Sequence, residues 1–139
     1  MTKGNVYDTR FLVEYFFSPN HATTQAMKEH LRSTGEKMIS AVTIHEIHRL
    51  NLRKLGKETA KLRSTLIRKE FKVIDVDYEI AVASAELSNK YRIPLADSVI
   101  AATALSAGHP LVSDDEHFKG INGLKTRWPT PPNADSEHL

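Results

Sequence analysis

The chain predicts an α/β sandwich built on a mostly parallel central sheet. Short apolar runs of strand character alternate with longer helical patterns along its whole length. Turn-forming residues, Ser18-Pro19-Asn20, Gly56 and Gly108 to Pro110, fall between these runs. At 139 residues the chain can bury a real core without disulfide or metal staples.

Val6-Tyr7 forms a short buried strand ending near Asp8, and Phe11 to Phe17 continues as a helical turn that Ser18-Pro19-Asn20 breaks. An amphipathic helix covers Thr23 to Ser33, and Lys37 to Ser40 is a short strand. Two helices, Val42 to Leu55 and Glu58 to Lys69, are separated at Gly56 as a cap or hinge. Phe71 to Val76 is strand-like, and Asp77 caps a helix over Tyr78 to Tyr91. Pro94 precedes a helix at Ala96 to Ala107, stopped by Gly108 and Pro110. Leu111 to Ser113 is a strand, His117-Phe118 a short turn, and Leu124 to Trp128 a last strand. One domain therefore covers residues 1–128, followed by a Pro-rich tail at 129–139.

The absence of cysteine excludes a disulfide framework, a zinc ribbon and a thiol nucleophile. The polar start of the sequence lacks the apolar core of a signal peptide. The longest uncharged window, Ser98 to Ser113, is too short for a bilayer. The expectation is a soluble cytoplasmic protein with no membrane association. Net charge is only +2, but nine basic residues between Arg49 and Lys72 face just Glu58 and Glu70. This block, including Arg49, Arg53, Lys54 and Lys57, is either a solvated helix face or a surface that tracks a phosphate backbone. Tyr7, Tyr91 and Trp128 are either packing aromatics or platforms for bases.

Four acids stand out. Asp8 and Asp115 each follow a strand, and Asp97 opens a helix; in parallel sheets, sites form beyond the carboxyl ends of strands. Each also has a structural explanation as a helix cap or first-turn acid. Glu46 lies among Val42 and Leu50 one helical turn away, so it needs a partner: Arg49, Arg53 or a metal. Asp114 is taken as the exposed neighbour of Asp115. Clustered carboxylates raise one another's pKa unless a cation sits among them, and an all-oxygen set suits Mg²⁺ or Mn²⁺. His45-Glu46-Ile47-His48 fails the zinc protease pattern, whose histidines are four apart. Arg10 stands where an aspartyl phosphatase needs a second acid, and the late Asp114-Asp115 pair is in the wrong order for a receiver domain.

Four segments, in order, resemble the motifs of the PIN-domain nucleases, most closely VapC-type toxins. They are Val6 to Thr9, Ser40 to Ile47, Ile93 to Ala102, and Leu111 to Phe118. The resemblance runs from Val6 to Trp128 and implies a three-layer α/β/α sandwich. It implies an acidic quartet of Asp8, Glu46, Asp97 and Asp115, with Thr9 and Ser113 orienting carboxylates or water. It also implies a Mg²⁺-dependent endoribonuclease acting on RNA, a homodimer and a cognate antitoxin seated near Phe11, Val13, Phe16 and Phe17. A non-catalytic RNA- or protein-binding module is the alternative.

Overall fold

The computed structural model describes residues 4–130. Its strands are β1 (Asn5–Tyr7), β2 (Lys37–Ser40), β3 (Lys72–Ile74), β4 (Leu111–Val112) and β5 (Thr126–Arg127). The helices are α1 (Thr9–Phe17), α2 (His21–Ser33), α3 (Ala41–Leu55), α4 (Lys57–Glu70), α5 (Tyr78–Tyr91) and α6 (Leu95–Ala107). A 3-10 turn spans Glu116–Phe118. All four strand pairings are parallel, in the order β3-β2-β1-β4-β5. The expected α/β sandwich is thus present, and all but the first two residues of the expected tail lie outside the described segment.

Strand periodicity divides the core between the two faces of the sheet. Tyr7, Ile39 and Val112 pack with Phe11, Leu12, Met27, Ile47 and Ile67 on one face. Val6, Met38 and Leu111 pack with Ile100, Ala101, Ala104 and Phe118 on the other. Because α6 is buried continuously from Ser98 to Ala104, its sequence shows little amphipathic contrast. No described helix is long and apolar enough to cross a membrane.

The ends of elements differ from the sequence expectation for identifiable reasons. Helix α1 begins at Thr9, not Phe11, because Asp8 supplies the backbone cap: its carbonyl accepts from Phe11 N at 3.0 Å. The Phe71–Val76 run forms ladder pairs only over Lys72–Ile74, since its one partner, β2, turns into α3 after Ser40. Leu124–Trp128 contributes only Thr126 and Arg127, opposite the two-residue β4. Asp77 does cap α5, accepting from Ile80 N at 2.8 Å.

Gly56 ends α3 and begins α4 with φ 89° and ψ 173°, a conformation essentially restricted to glycine. The reversal lets α3 and α4 pack as a helical hairpin. A Cβ at Gly56 would meet nothing within 4 Å, so a substitution there reports backbone strain without steric clash. Gly56→Ala is expected to lower stability by about 1–3 kcal/mol. Urea unfolding checks this, and an unchanged midpoint would remove the hinge constraint.

Candidate metal centre

The strand order reverses beside β1: the chain moves outward through β2 and β3, then returns to add β4 and β5 on the other side. A crevice opens at the carboxyl ends of strands at such a point. Asp8 follows β1 there, and Ser113, Asp114 and Asp115 follow β4. Parallel pairing of Tyr7 with Val112 brings these segments side by side.

Asp8 is only 2% exposed. It occupies the backbone cap position of α1, yet its side chain makes no capping hydrogen bond. Its Oδ2 instead accepts from Ser113 Oγ at 2.7 Å. Burial pushes its pKa up to about 7; Ser113 opposes the rise, while the nearby charges of Asp97 and Asp115 add to it.

Asp97, in the first turn of α6, is half-buried and bonded through Oδ2 to His117 Nδ1 at 2.6 Å. Desolvation raises its pKa, and His117 partly offsets this. Asp115 caps the 3-10 turn, accepting from His117 N at 2.9 Å, and its Oδ1 lies 3.4 Å from His117 Nδ1. One ligand atom each from Asp97, Asp115 and His117 fall within 4.8 Å of one another. The carboxylate oxygens of Asp97 and Asp115, with the buried acid Asp8 behind them, are a donor set that fits a divalent cation, while His117 Nδ1 is engaged as the hydrogen-bond partner of Asp97.

Glu46 is not part of that tight trio. Its Oε1 accepts from Thr9 Oγ1 at 2.5 Å, and Thr43 Oγ1 lies 3.2 Å from the same Thr9 oxygen. Among the described residues, no ion pair joins Glu46 to Arg49 or Arg53, the partners its helical spacing suggested. Asp114 is exposed as expected and forms a forked pair with Arg10, Nε to Oδ1 at 2.5 Å and Nη2 to Oδ2 at 3.1 Å. Sequence reasoning missed His117 and Thr43. The sequence places His117 in a short turn, within the segment Leu111 to Phe118, without a site role; that Asp97 faces it is a tertiary fact.

The basic block spreads over several faces. Arg49 and Arg53 line an open groove of about 560 Å³ with His45, Glu46, Leu50 and Leu95. Lys54 sits over the Phe17 ring, Arg63 covers Phe16 and Phe17, and Lys57 is exposed in the first turn of α4. Tyr7 is fully buried, which removes it as a base platform. Trp128 packs edge-on against Phe11, and Tyr91 accepts from Asn122 N at 3.0 Å. Phe11 is also fully buried, so it cannot line a docking groove, whereas Val13, Phe16 and Phe17 are half-buried.

A parallel α/β sandwich with acids gathered at its switch point defines the class. The chain belongs to the PIN domain family, whose model matches residues 6–124. No curated protein sequence matches it. Among solved structures, the chain is similar to VapBC2 from Rickettsia felis bound to a promoter DNA fragment, with TM-score 0.75, 16% identity, and coverage of 92% of this chain and 100% of that one. A toxin–antitoxin complex from Klebsiella pneumoniae gives TM-score 0.69 and 26% identity, covering 91% and 97% respectively. VapC20 from Mycobacterium tuberculosis, described as a toxin cleaving the sarcin-ricin loop, gives 0.70 and 17%, covering 87% and 98%. These likenesses show a fold shared with structures of VapBC2 and VapC20.

The buried acid makes a stability prediction with a defined sign. The folded protein holds the Asp8 proton up to about pH 7, whereas the ordinary value is 3.8. The folded state thus binds more protons in that interval, and stability falls as pH rises through it. Asp8→Asn, which keeps an oxygen for Ser113, should stabilise the chelator-treated protein by about 2–4 kcal/mol above pH 7. Below pH 4 the difference should vanish. Denaturant titrations at pH 4 and pH 8 measure it, and equal stabilities at pH 8 would refute it.

Proposed function

We propose that this chain is a metal-dependent endoribonuclease, using Mg²⁺ or Mn²⁺, and the toxin of a type II toxin–antitoxin pair. The observation that carries the reading is the convergence of Asp8, Asp97 and Asp115, with Glu46 tied in through Thr9. Capping accounts for Asp115 but not for Asp8, whose carboxylate makes no capping bond, and like charges accumulate where they oppose one another. Membership of the PIN domain family and the VapC20 likeness support RNA as substrate.

In this reading Asp8, Asp97 and Asp115 hold the cation directly or through water. Held by these carboxylates, a divalent cation would supply the Lewis acidity that phosphodiester hydrolysis needs. Ser113 fixes one oxygen of Asp8, and Thr9 fixes one oxygen of Glu46, leaving Glu46 to share the cation or orient the attacking water. Asp114 supports the site from the same loop. His117 bridges Asp97 and Asp115 and keeps both carboxylates turned toward one point. Arg49 and Arg53 border the groove beside Glu46, where they meet the phosphates of a bound strand, and Lys54 and Lys57 extend the positive field along α3 and α4.

The partner in this proposal is a cognate antitoxin that lays an apolar helix near Phe16 and Phe17. A cavity of about 420 Å³ lined by Tyr15, Phe16, Leu66, Ile67 and Phe71, with Lys69 and Glu70 also in its wall, supports that placement, as do Leu62 and Leu66, exposed by 60% and 48%. The active unit is a homodimer, which solution mass measurement tests. The contrasting reading, a non-catalytic RNA- or protein-binding module, predicts binding without cleavage.

RNA cleavage should stop with chelator and return with Mg²⁺ or Mn²⁺, while Asp8→Asn should lower it by about 100-fold or more with the fold intact. Metal-independent cleavage, or an active Asp8→Asn protein, would overturn the reading. RNA affinity should fall with salt, and replacing Arg49 and Arg53 by Ala should reduce the logarithmic slope by about 0.7 for each phosphate left without its arginine. An unaltered slope in binding titrations would separate these arginines from the substrate path.

A further inference from the structure

We infer that Arg10 is a positioning residue of the acidic site, acting through its forked contact with Asp114 to fix the orientation of Asp115. The inference rests on the metal-dependent reading above and assigns a role to a cation that a metal site would not be expected to keep nearby.

Arg10 is the second residue of α1, and Asp114 lies in the loop between β4 and the 3-10 turn, 104 positions later. The two parallel N–H to carboxylate bonds define a plane as well as a distance. The loop is tethered on either side of Asp114. Ser113 N donates to the Arg127 carbonyl at 2.9 Å and Ser113 Oγ to Asp8, while Asp115 N donates to Ser113 Oγ at 3.0 Å. Among the described residues, the side chain of Asp114 has Arg10 as its hydrogen-bonding side-chain partner. The fork therefore restrains rotation of the loop at the residue before Asp115. A turn of the backbone there would carry Asp115 away from Asp97 and His117, the two groups it meets within 4.8 Å.

Charge alone argues the opposite consequence. The guanidinium lies in the field of Asp8, Asp115 and Asp114, so as a bare positive charge it opposes a divalent cation. Deleting a bare charge would tighten metal binding. Deleting a clamp would loosen it. The sign of the change in Arg10→Ala distinguishes the two, and Arg10→Lys sharpens the distinction because lysine keeps the charge but cannot make the fork. The Arg10 side chain is 51% exposed, so neither change opens the core.

The test is calorimetric titration of the full chain with Mn²⁺, alongside RNA cleavage at increasing Mn²⁺. Both variants should bind Mn²⁺ about tenfold more weakly, and cleavage should approach the wild-type rate once the metal is saturating. A purely structural role would lower the melting temperature without moving the Mn²⁺ affinity. The inference is overturned if Arg10→Ala binds Mn²⁺ as tightly as wild type or more tightly, or if Arg10→Lys matches wild type while Arg10→Ala is weak. Wild-type protein that neither binds Mn²⁺ nor cleaves RNA overturns the nuclease reading itself. Wild-type binding with unaffected variants overturns only the role of Arg10.

Discussion

A carboxylate buried at the end of the central strand is the constraint around which this domain is organised. Taking Asp8 out of water is unfavourable, and its one side-chain donor, Ser113, offsets the cost only in part. Simple stability would place a neutral residue there. The sheet does the reverse and adds Asp97 and Asp115 nearby. Parallel strands make this possible, since every strand end of one polarity emerges on the same edge.

Three consecutive residues link the first strand to the rest of that edge. Asp8 meets Ser113 after β4, Thr9 meets Glu46 on α3, and Arg10 meets Asp114 in the same late loop. The start of α1 is thus a junction where a strand end becomes a helix and successive side chains fan out to different partners. Helix α3 is similarly divided by its periodicity. Thr43, Ile47 and Asn51 are buried, while His45, Glu46, Arg49 and Arg53 face the groove beside the acids. The third side, with Ala41, Ile44 and His48, faces a separate groove shared with Lys61 and Arg68 of α4. The basic block looked continuous as sequence because α3 and α4 contribute to different surfaces in turn.

Much of this was legible in the amino-acid sequence alone. Alternation of strand and helix patterns pointed to the layers, Gly56 and Asp77 marked their positions by backbone and capping chemistry, and the acids stood out against their apolar surroundings. What was not legible depends on pairing. The edge strands are short because their partners are short, which propensity along one segment cannot report. His117 joins Asp97 only when the turn after β4 packs against α6, and Arg10 finds Asp114 only when β1 and β4 lie side by side. Tyr7 lies in the buried strand its sequence predicted, but the partner of its hydroxyl, His30 Nε2 at 2.8 Å, is set by packing against α2.

The contact between Asp8 and Ser113 spans 105 positions, and strands β1 and β4 that bring it about are adjacent in space. During synthesis, therefore, the first acid leaves the ribosome long before its partners exist. A nascent chain can pair β1 with β2 once residues 37–40 are made, but the other edge of β1, and with it Ser113, waits for the β4 segment. The acidic edge is therefore complete only when segments from both ends of the domain have come together.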